Sequence, residues 1–109
     1  MTVNELAERL DLKRITLPEG DREVDGAYIG DLLSWVMGRA QGGNAWITIM
    51  SNLNIVAVAT LADVSCVILA EGVTLDAQVV QTAEAKGVNI LSSDKTAYEV
   101  AVSLAGQGV

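Results

Sequence analysis

The chain contains no histidine and a single cysteine, and these two absences remove most of the usual catalytic chemistry. Without histidine there is no Ser-His or Cys-His nucleophile pair, no imidazole for a metal, and no side chain whose ordinary pKa suits a general base near neutral pH. Cys66 cannot form a disulfide within the chain or build a cysteine-rich zinc site. Its place in the apolar run Val64–Leu69 reads as an inert core thiol. Phenylalanine is absent and only four residues are Trp or Tyr, so the core must be built from Val, Ile, Leu and Ala. No run of Lys or Arg exists. Seven bases stand against 14 acids, and the net charge of −7 would repel a phosphate backbone. Nucleic acid and anionic membrane surfaces are therefore not expected as partners. No glycine loop followed by Lys-Ser/Thr is present, nor any G-x-G-x-x-G. No apolar stretch reaches the ~20 residues of a membrane helix. Met1–Leu10 lacks the basic and apolar regions of a signal peptide, so a soluble, cytoplasmic protein is expected. What remains for catalysis is carboxylates, serines and asparagines, and the chain is read as non-enzymatic, without metal or other cofactor.

What is present is a rhythm. Ala45–Met50 leads into Ser51-Asn52-Leu53-Asn54, Cys66–Leu69 into Glu71-Gly72-Val73-Thr74, and Val88–Leu91 into Ser92-Ser93-Asp94, each followed by a helical pattern. Strands that alternate with helices in this way predict an α/β fold with a mainly parallel sheet flanked by helices. With 109 residues, one domain spanning 1–109 is expected. Thr2 and Glu5 form a capping-box pattern before a first helix bearing Leu6 and Leu10. Strands are predicted over Lys13–Leu17, closed by Pro18, and over Glu23–Ile29, with Gly26 as a weak point. Asp31 reads as the N-cap of a helix carrying Leu32, Leu33, Val36 and Met37. Asn54 reads as the cap of Ile55–Ala62, Thr74 of Leu75–Lys86, and Asp94 of a last helix with Tyr98, Val102 and Ala105 on one stripe. The run Ser65–Ala70 has the pattern of a central strand covered on both faces.

The carboxyl ends of parallel strands are where open α/β sheets take ligands. The candidate ligand-binding residues are accordingly Gly30, Asp31, Ser51, Asn52, Asn54, Glu71, Gly72, Ser92, Ser93 and Asp94. Helix N-termini there present unpaired N–H groups, Gly admits a ligand to the backbone, and Ser and Asn add neutral donors and acceptors. The competing reading is that each is only a cap or turn residue, a cap being worth ~1 kcal/mol. Asp31, Glu71 and Asp94 would compete with an anionic ligand for the same N–H groups, and Lys95 is the one base read near this edge. Two features point to self-association: the Ile55–Ala62 helix is apolar nearly all round, and Trp35 lies off the best apolar stripe of its helix. Trp46, at the start of a strand, is expected to pack in the sheet.

The segments Asp21–Val24, Ala27–Ser34, Ala45–Ile49, Asn54–Ala59, Val67–Leu69, Gly87–Ser92 and Ala97–Ala101 resemble the DRTGG domain family. The resemblance implies an α/β domain similar to the N-terminal domain of HPr kinase/phosphorylase, itself similar to the first domain of muramyl ligases, standing without a kinase domain. It implies a regulatory or assembly role, since similar domains sit beside CBS nucleotide-sensing modules and free-standing forms accompany iron-hydrogenase-type redox systems. The Asp-Arg of the family's name falls near Ser51-Asn52 and its Thr-Gly-Gly at Ala70-Glu71-Gly72, where only Gly72 matches. Loss of the Arg and gain of Glu71 make that edge less suited to an anion. Three readings follow: a regulatory domain acting as a homodimer through protein contacts, a sensor of a small polar, nucleotide-like ligand, and an accessory protein of a redox system.

Overall fold

Short β-branched runs flanked by Gly and Asn turns form the strands, and the runs with apolar residues three and four apart form the helices. The computed structural model describes residues 1–109. The elements follow the order α1 (Val3–Arg9), β1 (Lys13–Thr16), β2 (Ala27–Ile29), α2 (Leu33–Arg39), β3 (Ala45–Thr48), α3 (Asn54–Ala62), β4 (Cys66–Leu69), α4 (Ala77–Ala85), β5 (Ile90–Ser92) and α5 (Ala97–Gly106). The sheet order is β1-β5-β4-β3-β2. Strands β2 to β5 are parallel, and β1 closes one edge antiparallel to β5. The expected α/β architecture is the one observed. No helix is long and apolar enough to cross a membrane.

Four consecutive parallel strands laid side by side in chain order carry their crossover helices on one face, because such crossovers share one hand. Accordingly, Val36 of α2, Ile55 and Ala59 of α3, and Val79 and Ala83 of α4 pack against Trp46, Val67, Leu69 and Ile90. On the opposite face α1 and α5 bring Val3, Leu6, Val100 and Leu104 onto Ala45, Ile47, Cys66, Ile68 and Leu91. All four residues of β4 are buried, as the apolar run predicts. Burial pushes the Cys66 thiol up to about 12, so it stays protonated in the core. Trp46 is fully buried and donates its indole N–H to the Gly30 carbonyl at 2.9 Å.

The segment between β1 and β2 crosses the amino ends of the parallel strands and is tied down at each one. Asn89, just before β5, accepts the Glu19 N–H at 2.9 Å and donates to the Glu19 and Ser65 carbonyls at 2.8 and 2.9 Å. Arg22 donates to the Val64 and Asp63 carbonyls, both at 3.0 Å, and pairs with the Asp63 carboxylate at 3.1 Å. Ser65, before β4, donates to the Glu23 carbonyl. Asn44, before β3, donates to the Asp25 carbonyl at 2.7 Å. This crossing shortens β2. The strand expected over Glu23–Ile29 exists only at Ala27–Ile29, because Val24 N–H goes to the Met1 carbonyl and Asp25 N–H to the Gly43 carbonyl.

Several caps differ from expectation. Thr2 and Glu5 form the expected capping box, but α5 is capped by Thr96 with Glu99, not by Asp94. Leu32 holds the N-cap position of α2, and the Asp31 carboxylate instead accepts the Thr48 hydroxyl at 2.8 Å and the Ile49 N–H at 3.0 Å. Asn54 is the first residue of α3, and the Asn52 side chain accepts its N–H at 2.9 Å. Helix α4 begins after Asp76, so Thr74 lies outside it. The stripe of Tyr98 and Val102 faces outward, while Val100 and Leu104 face the core.

Hydrogen bonds from the Thr96 backbone and hydroxyl hold the Glu99 carboxyl below its ordinary 4.5, and those from Thr2 do the same for Glu5. A lowered folded-state pKa gives stability that is fully present above about 4.5 and is lost as pH falls through the folded value. Thr96→Ala should therefore lower thermal stability by about 1 kcal/mol at pH 7, roughly 4 °C, with the deficit shrinking in acid, whereas Asp94→Ala should leave the midpoint nearly unchanged. A larger loss for Asp94→Ala in calorimetry would contradict the cap assignment. Asn89→Ala strands the buried Ser65 carbonyl and the part-buried Glu19 carbonyl and N–H, and should destabilise the chain by about 2–3 kcal/mol in urea titration. A loss under half a kcal/mol would mean that water replaces the amide there.

Candidate functional site

With the amino ends strapped, the open edge of the sheet is the carboxyl one. The chain leaves β2, β3 and β4 toward the face of α2, α3 and α4, but leaves β5 toward the other face, where α5 lies. Neighbouring strands whose outgoing loops part in opposite directions leave a crevice between them. Here it lies between the ends of β4 and β5.

Backbone bonds lace the two loops together below it. Ser93 donates its N–H to Leu69, Gly72 to Ser93, and Glu71 to Lys95, at 2.9, 2.9 and 2.8 Å. Glu71 and Gly72 both take positive φ, 62° and 69°, to make this turn. A Cβ on residue 72 would lie 3.1 Å from Asp94 Oδ1, so Gly eases both the positive φ and the close approach of that carboxylate. A hollow of about 300 Å³ opens here, with Ile15, Leu69, Leu75 and Val80 as apolar walls and Lys13, Gly72, Ser92 and Asp94 among its polar ones. A second hollow of about 250 Å³ is lined by Asp11, Lys13, Ser92, Ser93, Asp94 and Lys95. Lys13 reaches both because β1 runs antiparallel to β5 and sets Lys13 opposite Ser92. Nothing in the local sequence marks Lys13; only the pairing of the first strand with the last brings it to this edge.

The other candidates are placed differently. Gly30 and Asp31 end β2, where Gly30 N–H bonds the Ile47 carbonyl and Asp31 ties down the end of β3. Ser51 and Asn52 are exposed in the turn before α3. Asn54 lines a separate groove of about 480 Å³ between α3 and α4, with Leu53, Val56, Ala57 and Leu61. The ten residues thus divide: Gly72, Ser92, Ser93 and Asp94 line the crevice, Glu71 supports it through its backbone, and the remaining five do not reach it. No group of three or more His, Cys, Asp or Glu is gathered that could hold a metal ion.

Around the β2–β3 end the surface turns apolar. Of the nine exposed large hydrophobic residues, five (Leu32, Trp35, Met37, Leu53 and Leu61) belong to α2, α3 or their N-cap positions. Leu61 is 70% exposed and Trp35 52%. The Arg39 guanidinium lies 3.7 Å from the centre of the Trp35 ring and holds it flat against its own helix.

The model of the DRTGG domain matches residues 5–106 of the chain. No curated protein matches it. Among solved structures the chain is similar to the CBS and DRTGG domains of the regulatory region of Clostridium perfringens pyrophosphatase, complexed with its activator diadenosine tetraphosphate. The TM-score is 0.70 at 14% identity, over 94% of this chain and 45% of that one. The chain therefore spans less than half of that relative, and the likeness is one of fold.

Proposed function

Because the chain belongs to the DRTGG domain family, we propose that it is a non-enzymatic regulatory domain that acts as a homodimer through protein contacts. Like the N-terminal domain of HPr kinase/phosphorylase, it would work beside a separate activity rather than supply one. The observation that carries this is that Leu32, Trp35, Met37, Leu53 and Leu61, all on α2, α3 or their N-cap positions, are exposed. A helix whose outer face is also apolar finds its most favourable state against another surface. Trp35 and its Arg39 neighbour are residue types that anchor interfaces. With Leu61→Asp or Trp35→Asp, sedimentation equilibrium should find a folded monomer where the unmodified chain is a dimer, because both positions are exposed and tolerate the charge. A monomer for the unmodified chain at high micromolar concentration would remove this reading.

A second reading rests on the crevice between β4 and β5: the chain senses a small polar ligand there. Hollows of about 300 and 250 Å³ share Lys13, Ser92 and Asp94 at the place where the outgoing loops part. The similar pyrophosphatase region was crystallised with diadenosine tetraphosphate, which makes nucleotides the first compounds to try. A ligand at a hundredfold its Kd adds about 2.7 kcal/mol and should raise the melting midpoint by roughly 10 °C. A panel of nucleotides and metabolites with no compound above 1 °C would end the sensor reading and leave the dimer reading untouched.

A further inference from the structure

Resting on the ligand-sensing reading, we infer that the crevice between β4 and β5 takes a small zwitterion with an apolar tail, the chemistry of a free aliphatic α-amino acid. The two hollows differ in kind. The larger has Ile15, Leu69, Leu75 and Val80 among its walls, while the smaller has no hydrophobic residue in its lining. Charge in the smaller one balances: Lys13 and Lys95 face Asp11 and Asp94. None of these four is engaged elsewhere, since the chain's ion pairs are Met1–Glu23, Arg9–Glu5 and Arg22–Asp63. Two unpaired cations and two unpaired anions suit a ligand of zero net charge that carries both signs. They do not suit a polyphosphate, which would meet the Asp11 and Asp94 carboxylates as well as the lysines. No Trp or Tyr lines either hollow, so a purine or pyrimidine would find no ring to stack on.

Lys13 and Asp94 line both hollows and mark their junction. A ligand whose α-carbon sits there sets its carboxylate on Lys13 and the Ser92 hydroxyl and its ammonium on Asp94, which lies over the bare Gly72. Its side chain then enters the apolar hollow. Lys13 and Ile15, two apart on β1, share one face of the strand, which puts Ile15 on the apolar wall beside Lys13. A volume of about 300 Å³ stands at the small end of ligand pockets and fits one such side chain rather than a dinucleotide.

The test is calorimetric titration and thermal shift of the full chain with L-leucine and L-valine. The comparison compounds are 4-methylpentanoate, which lacks the ammonium, 3-methylbutylamine, which lacks the carboxylate, and ATP. The amino acids should raise the midpoint in a dose-dependent way, and each truncated analogue should bind at least tenfold more weakly. Lys13→Met and Asp94→Asn, both at exposed positions, should each weaken L-leucine at least tenfold without lowering the unliganded midpoint. Binding left unchanged by both substitutions would overturn the inference. So would a response to ATP with none to amino acids, although the sensor reading would survive it. Silence from every compound would overturn the inference, while the sensor reading would still be decided by the wider panel of nucleotides and metabolites.

Discussion

Three buried polar side chains stand immediately ahead of the three inner strands: Asn44 before β3, Ser65 before β4 and Asn89 before β5. The constraint they answer is general, because the segment that joins β1 to β2 must cross the sheet's amino edge, where its own backbone groups lose water. Asn89, Ser65 and Asn44 meet backbone groups of Glu19, Glu23 and Asp25 in the crossing segment, the segment's own Arg22 reaches the Val64 carbonyl, and no buried side-chain polar atom is left without a partner. A carboxamide suits the task because it donates and accepts at once, as Asn89 does with both polar groups of Glu19. The register of β2, the burial of Trp46 under Gly30 and the closure of one sheet edge all follow from where this crossing segment is held.

Closing the amino edge leaves the carboxyl edge open, and that edge is not uniform. Toward β4 and β5 it is polar, charge-balanced and hollow. Toward β2 and β3 the Asp31 carboxylate is consumed by Thr48 and Ile49, and what faces outward near it is Ile29, Leu32 and Ile49. Ala70 N–H bonds the Thr48 carbonyl at 3.0 Å and extends the pairing of β3 and β4, which joins the two halves, to the carboxyl edge. A change of loop position in the polar half would thus be felt in the apolar half through one strand end. This is the layout a regulatory domain needs if a bound molecule is to alter a protein contact.

The α/β class was legible because β4 reads as an unbroken apolar run and each strand is followed by a polar turn, a pattern that burial on both faces imposes. The caps were less legible. Asp31, Asn54, Thr74 and Asp94 each stand where a cap could begin, and local chemistry does not say which polar residue of a turn takes the position. Thr96 could have been found, since Glu99 follows it by three as Glu5 follows Thr2. Helix α5 is apolar on two sides, so spacing alone does not choose between the Tyr98 stripe and the Val100 stripe; only the presence of the sheet does. The polar residue just ahead of Ala45, Cys66 and Ile90 is a repeated signal, but Ser65 and Asn89 read from the sequence as parts of their strands, and Asn44 carries no role there. Lys13 carried no signal at all, because its place depends on a partner strand some eighty residues away.

That separation bears on how the molecule is made. Thr16 donates to the Val88 carbonyl across 72 residues, and Glu19 meets Asn89 across 70. During synthesis the first strand and the segment after it emerge long before the residues that receive them. Strand β1 itself pairs only with the last parallel strand, while the segment after it also meets Met1, Asn44 and Ser65. Contacts this distant in sequence slow folding, because the loop between them must close before they return anything. The order of pairing therefore runs against the order of translation for one strand: β2 to β4 can pair as they appear, while β1, made before them, pairs only once β5 exists.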